Sequence, residues 1–173
     1  PDVPADIRLN TNLLVAHMLI QDGKFDAAEK KLSSVLTDTK DAKQKAYVQV
    51  YLIQTQVAQG KATSPADLQN LIKGAGDDDK LKAMGYNTRG DYYQQAKQPD
   101  EAFWQYLRVD VLFNQDREEH ARSLYNLWKL FDSVRHDPQR SKECLDRLKD
   151  KSLDGTEFQA RAIKESDAGA KSP

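Results

Sequence analysis

A single cysteine, Cys144, among 173 residues rules out an intrachain disulfide and any metal site built on paired thiolates. Glycine and proline are sparse, at 8 and 6, and none falls in a Gly-rich phosphate loop or a Gly-x-Ser-x-Gly elbow. Runs of β-branched and aromatic residues with period two do not occur, so strand signals are nearly absent. The longest apolar stretch, Leu13 to Ile20, is interrupted by His17 and is too short to span a bilayer. Charge of one sign does not accumulate either. The 26 basic and 27 acidic residues are spread along the chain for a net charge of -1. Without a basic stripe or an acidic tail, nucleic acid is not an expected partner and electrostatic membrane docking is unsupported.

What the chain does have is an echo. Gly23-Lys24-Phe25-Asp26-Ala27-Ala28 is followed 37 residues later by Gly60-Lys61, and after the same step again by Lys97-Gln98-Pro99-Asp100-Glu101-Ala102. Periods of this size mark stacked supersecondary units, none of which buries its apolar face alone. Apolar residues spaced by three and four predict helices over about 5–21, 25–36, 40–59 and 65–74. Further helices follow over about 79–96, 99–113, 117–134 and 138–149, with a short one near 157–163. Ser64-Pro65-Ala66-Asp67 and Asp116-Arg117-Glu118-Glu119 read as helix starts, and Asp77-Asp78-Asp79 places acids at the positive end of the fifth helix. Pro65, Pro99 and Pro138 each fall in a first turn, since a proline in a helix interior would cost roughly 3 kcal/mol. A charged fraction of 31% and a mean hydropathy of -0.78 suit a thin, solvated helical array of four hairpins.

Arg89-Gly90-Asp91-Tyr92-Tyr93, followed by Lys97 and Asp100-Glu101-Ala102, resembles the core signature of a tetratricopeptide repeat. That signature is a small residue, an aromatic three later, a turn, then an Ala nine beyond the aromatic; Gly90, Tyr93 and Ala102 meet it in full. Ala16, Leu19, Gly23, Phe25 and Ala28 match in the first unit, and Leu52, Ile53 and Gly60 in the second. In the fourth, Leu127, Trp128 and Phe131 fit more than one alignment. The period of about 37 exceeds the usual 34, so the units are elongated repeats or relatives within the broader α-solenoid class. The resemblance covers about residues 5–150. It implies an all-α, right-handed superhelix of about four antiparallel hairpins over residues 1–151; the composition of residues 152–173 reads as a short helix and a flexible tail. The stretch Tyr106 to Asp116 is also similar to a segment of exported bacterial proteins of this repeat type, which tilts localisation toward an extracytoplasmic site. The abrupt opening at Pro1-Asp2-Val3-Pro4 reads as a chain trimmed of a leader or an upstream domain, so the compartment stays open.

In such repeats the first helix of each hairpin lines the concave face. By resemblance, its groove positions lie three before, one after and four after the small packing residue. Carried over, these are Leu13, His17 and Ile20; Val50, Gln54 and Val57; and Asn87, Asp91 and Gln94. The expected contact set is Leu13, His17, Gln54, Asn87, Asp91 and Gln94, which suits an extended peptide or a partner helix. The competing reading of these positions is ordinary surface and inter-repeat packing. Capture of a peptide carboxylate by paired Lys/Arg and Asn is disfavoured, because Leu13, Val50 and Asp91 stand among those stations.

His17 reads as a packed or rim residue, His136 as a loop residue, and Glu118 and Glu119 as the acidic first turn that precedes His120. No metal, cofactor or catalytic residue is expected. Among the aromatics of the C-terminal half, Trp104 and Tyr125 are the candidates for an outward face. The expected function is a non-catalytic protein–protein interaction scaffold that holds a peptide or partner helix in its groove. The alternative is a structural spacer or self-assembly module that works through its end faces, which leaves homo-oligomerisation open. An enzyme would need clustered perturbed groups, which the sequence does not suggest.

Overall fold

Five α-helices start on a side chain that accepts from a free backbone N–H group of the first turn. In the computed structural model, which describes residues 4–61 and 64–169, Asp41 accepts from Gln44 N (2.8 Å), opening α3 (Ala42–Ala58). Ser64 accepts from Ala66 N at α4 (Pro65–Gly74), and Asp78 accepts from Leu81 N at α5 (Asp79–Gln95). Asp116 and Asp137 do the same for α7 (Arg117–Ser133) and α8 (Pro138–Leu148). Proline occupies the first turn of α4, α6 (Pro99–Leu112) and α8. With α1 (Ala5–Gln21), α2 (Phe25–Asp38) and α9 (Glu157–Gly169), the described residues are all-α, without strands. The opening Pro1-Asp2-Val3 and the end of the expected tail, Ala170-Lys171-Ser172-Pro173, lie outside the described residues.

The 37-residue echo has a backbone cause. Gly23, Gly60 and Lys97 all adopt left-handed φ (71°, 68° and 57°) just beyond the C-termini of α1, α3 and α5. Each is followed by an N–H that reaches back over the last turn: Lys24 N to Leu19 O, Lys61 N to Gln56 O and Gln98 N to Tyr93 O, at 2.8–3.0 Å. The chain thereby turns sharply enough to lay the second helix of a hairpin against the first. Glycine enters this conformation freely, whereas Lys97 does so against the steric preference of a side chain.

The chain divides into two compact units that meet at Asp77 and Asp78. In the first, α2 packs against both α1 and α3 around Leu9, Ala16, Leu32, Val35 and Val48. In the second, α7 is central and packs against α5, α6, α8 and α9. Its core includes Phe103, Tyr106, Leu124, Leu127, Leu130, Phe131 and Leu148, with Phe103 and Phe131 edge-to-face at 5.0 Å.

Two expectations are corrected. The last helix does not end near 163 but runs to Gly169, because it docks on α7: Tyr125 Oη donates to Glu165 Oε1 (2.7 Å), Lys129 pairs with Glu165 (2.6 Å), and Phe158 packs on the Tyr125 ring. Tyr125 is therefore buried, while Trp104 is 53% exposed, as an outward face requires.

Candidate functional site

The third hairpin carries its small packing residue at Gly90, in the interior of α5. A Cβ there would lie 2.5 Å from Cε1 and Cζ of Tyr106, so the missing side chain is what lets the α6 ring pass close against α5. The fully buried Tyr106 then places its hydroxyl beside two of the expected groove residues. Its Oη donates to Asp91 Oδ1 (2.6 Å) and accepts from Gln94 Nε2 (2.9 Å).

From α5 the polar chain continues onto α7. Asn87 Nδ2 donates to the carbonyl oxygen of Glu119 (2.9 Å) and to its Oε2 (2.7 Å). Arg122 donates to Asp91 and lies 3.5 Å from Glu119 Oε2, and Gln94 Nε2 donates to Asn126 Oδ1 (3.0 Å). The pairs 87–119, 91–122 and 94–126 are separated by 32, 31 and 32 residues, a ladder of polar contacts between parallel stations of two first helices. Burial raises the pKa of Glu119, with Arg122 and Asn87 pulling it the other way. Burial opposes the charge on Arg122, yet Asp91 and Glu119 beside it more than offset that and hold it protonated. Burial, and then the charge of Asp91, push the Tyr106 phenol well above its ordinary range.

The ladder runs from inside to outside. Asn87 is fully buried and its amide nitrogen is spent on Glu119, which withdraws it from the set of side chains a partner could touch. The Arg122 side chain is 13% exposed and that of Asp91 31%, and Gln94 is exposed. In the first unit, Leu13 packs half-buried against the core, and His17 meets the Tyr51 ring edge-on at 6.3 Å, with Gln21 Nε2 3.1 Å from its Nε2. Gln54 is half-buried on α3. The expected residues thus fall into Leu13, His17 and Gln54 in one unit and Asn87, Asp91 and Gln94 in the other.

Glu119, Arg122, Asn126 and Tyr106 were not among the expected site residues. Glu119 does sit in an acidic first turn, but its carboxylate is turned inward onto Asn87. Amides and opposite charges recurring at a constant offset of about 32 residues were the one available signal. His120 also has a structural partner: its Nε2 lies 2.9 Å from Asp110 Oδ1, and Arg147 Nη1 donates to Asp110 Oδ2 (2.9 Å), joining α6, α7 and α8. Among the described residues, two clusters of apolar side chains remain open. Ile7, Leu14, Val15 and Met18 face outward on α1, and Trp104, Leu107, Val111 and Leu112 line a shallow recess on α6 with Arg108 among them. Among the described residues, no group of three or more His, Cys, Asp or Glu could hold a metal ion, and no helix is long and apolar enough to cross a membrane.

Antiparallel hairpins of this length, ended by left-handed residues at a fixed step and packed through a small residue, define a helical repeat protein. The model of the tetratricopeptide repeat-like domain matches residues 8–109, and the chain belongs to that family of helical repeat scaffolds for protein interaction. Neither a curated protein nor a solved structure matches the chain.

Proposed function

We propose that the chain is a non-catalytic scaffold that binds a peptide or partner helix along the first helices of its hairpins. In the C-terminal unit the contact edge is Asp91, Gln94 and the neighbouring Asn126; in the N-terminal unit it is Leu13, His17 and Gln54. The observation that carries this reading is the outer end of the polar ladder. Side chains held in place by buried partners reach solvent there, so little rotamer freedom remains to be lost on binding. A photo-crosslinking residue at Gln94, compared with one at Trp104, tests it. A partner trapped from position 94, and lost when Asp91→Ala is added, supports the groove. Trapping from position 104 alone refutes it.

A second reading has its own observation. Ile7, Leu14, Val15 and Met18 make an exposed apolar strip on α1, with Leu14 at 59% exposure. Self-assembly through that helix predicts a sedimentation coefficient that rises with concentration in the wild type and stays flat in Leu14→Ser/Met18→Ser. Flat behaviour in both removes this reading.

A further inference from the structure

Tyr106 belongs to α6, the second helix of its hairpin, yet its hydroxyl ends between two groove positions of α5. A phenol offers one hydrogen and can accept through its oxygen. The Asp91 carboxylate, an acceptor only, takes the hydrogen at 2.6 Å. Deep burial pushes the phenol pKa up, so that hydrogen is retained. The hydroxyl oxygen is left to accept, and its other neighbour is Gln94 at 2.9 Å, which must therefore turn its NH2 group inward. The same NH2 group donates to Asn126 Oδ1 (3.0 Å). Asn126 is fixed in that sense because its own Nδ2 donates to the Arg122 carbonyl (2.9 Å).

Both inward contacts of Gln94 thus use its nitrogen, and in a planar amide the carbonyl oxygen points the other way. Gln94 is exposed and Asp91 is partly so, whereas the nearby Arg122 guanidinium is engaged by Asp91 and Glu119. The accessible edge of this station presents acceptors.

We infer that Tyr106 is a positioning residue that sets Gln94 and Asp91 as acceptors, so that the third hairpin takes a partner segment presenting a hydrogen-bond donor, either a Lys or Arg side chain or a backbone N–H. This rests on the groove reading above. Ungoverned, Gln94 could show either end of its amide; held by Tyr106 and Asn126 together, it rejects a carboxylate or carbonyl at the same place.

The probes are short peptides selected by display on the wild-type protein, resynthesised with each Lys or Arg replaced by norleucine and, separately, with single backbone N-methyl groups. One of the two series should weaken binding to the wild type by about tenfold at one position, and Tyr106→Phe should reduce that discrimination to about twofold. A preference for Glu at that position, or a Tyr106→Phe protein that discriminates like the wild type, overturns the inference. Peptides indifferent to Asp91→Ala and Gln94→Ala would instead show that the groove reading has failed. A ligand-free measurement then decides: solvent exchange of the Gln94 side-chain amide hydrogens by NMR. Exchange that is slow in the wild type and about tenfold faster in Tyr106→Phe upholds the positioning role. Equal exchange in both overturns it.

Discussion

Replacing a glycine inside a helix by alanine ordinarily stabilises a protein by about 1 kcal/mol. Gly90→Ala should do the opposite. The new Cβ would sit 2.5 Å from two ring atoms of Tyr106 and 3.0 Å from a third, and Tyr106 is fully buried, so the ring cannot swing into open space. Overpacking of this kind costs about 1 to 3 kcal/mol. A ring displaced far enough to relieve it carries its hydroxyl away from Asp91 and forfeits a charge-assisted hydrogen bond worth about 1.5 to 3 kcal/mol. With the helix-propensity gain subtracted, the expected destabilisation is about 1.5 to 5 kcal/mol. Both tryptophans, Trp104 and Trp128, lie in the unit that contains Gly90, so urea unfolding followed by tryptophan fluorescence reads the relevant unit directly. Tyr106→Leu in the same chain should recover part of the loss, a non-additivity expected of side chains in contact. Gly74→Ala is the control. Its Cβ meets nothing within 4 Å, and that change should be neutral or stabilise by up to about 1 kcal/mol by circular dichroism. A Gly90→Ala protein as stable as the wild type would refute the account of how α5 and α6 meet, and with it the placement of Tyr106.

Lys97→Gly should stabilise the C-terminal unit by about 0.5 to 1 kcal/mol, since it removes a side chain from a left-handed position; a lower urea midpoint would count against that cause. Burial pushes the Asp110 carboxyl up, but hydrogen bonds from His120 and Arg147 outweigh it and hold the group below its ordinary range. Its contribution is therefore present above the ordinary carboxylate range and is lost as pH falls below about 4. Arg147→Ala should lose about 1 to 2 kcal/mol at neutral pH and flatten that acid limb, and an unchanged acid limb would assign it to other groups. Glu119 behaves with the opposite sign. Its folded-state pKa is raised by burial, so the wild type loses stability as pH rises through it. The stability of Glu119→Gln relative to wild type should then improve as pH rises from the ordinary carboxylate range through the raised value and level off above it, and a difference independent of pH would contradict the burial argument. The buried Cys144 thiol is pushed up to about 11, chiefly by burial, so an aromatic disulfide reagent should label it at pH 8 only as the unit opens; immediate full labelling would refute the packing of α8 on α7.

The helices were legible because their boundaries are local. Asp41, Ser64, Asp78, Asp116 and Asp137 cap the turns that follow them, and Pro65, Pro99 and Pro138 sit where a missing N–H is harmless. The repeat itself was legible through Gly23, Gly60 and Lys97, whose left-handed backbone closes each first helix within a few residues. Gly90, Tyr93 and Ala102 then sufficed to identify the repeat class that the family match bears out. The length of α9 was not legible, because polar residues such as Glu165 become helix-supporting only when Tyr125 and Lys129 of α7 are there to meet them.

The site divides along the same line. Which residues stand on the first helices follows from the periodicity of the chain. Which of them reach solvent does not: Asn87, Asp91 and Gln94 are equivalent by spacing, yet one is fully buried and one exposed. That difference arises where α5 meets α7, some 32 residues further along the chain. It depends on the angle and register at which two packed helices cross, and on a ring that passes close only where Gly90 has no side chain. Caps, turns and periodicity are set by near neighbours and so belong to the sequence alone. The direction in which Gln94 presents its amide is set by Tyr106 and Asn126, which only the folded chain brings to it.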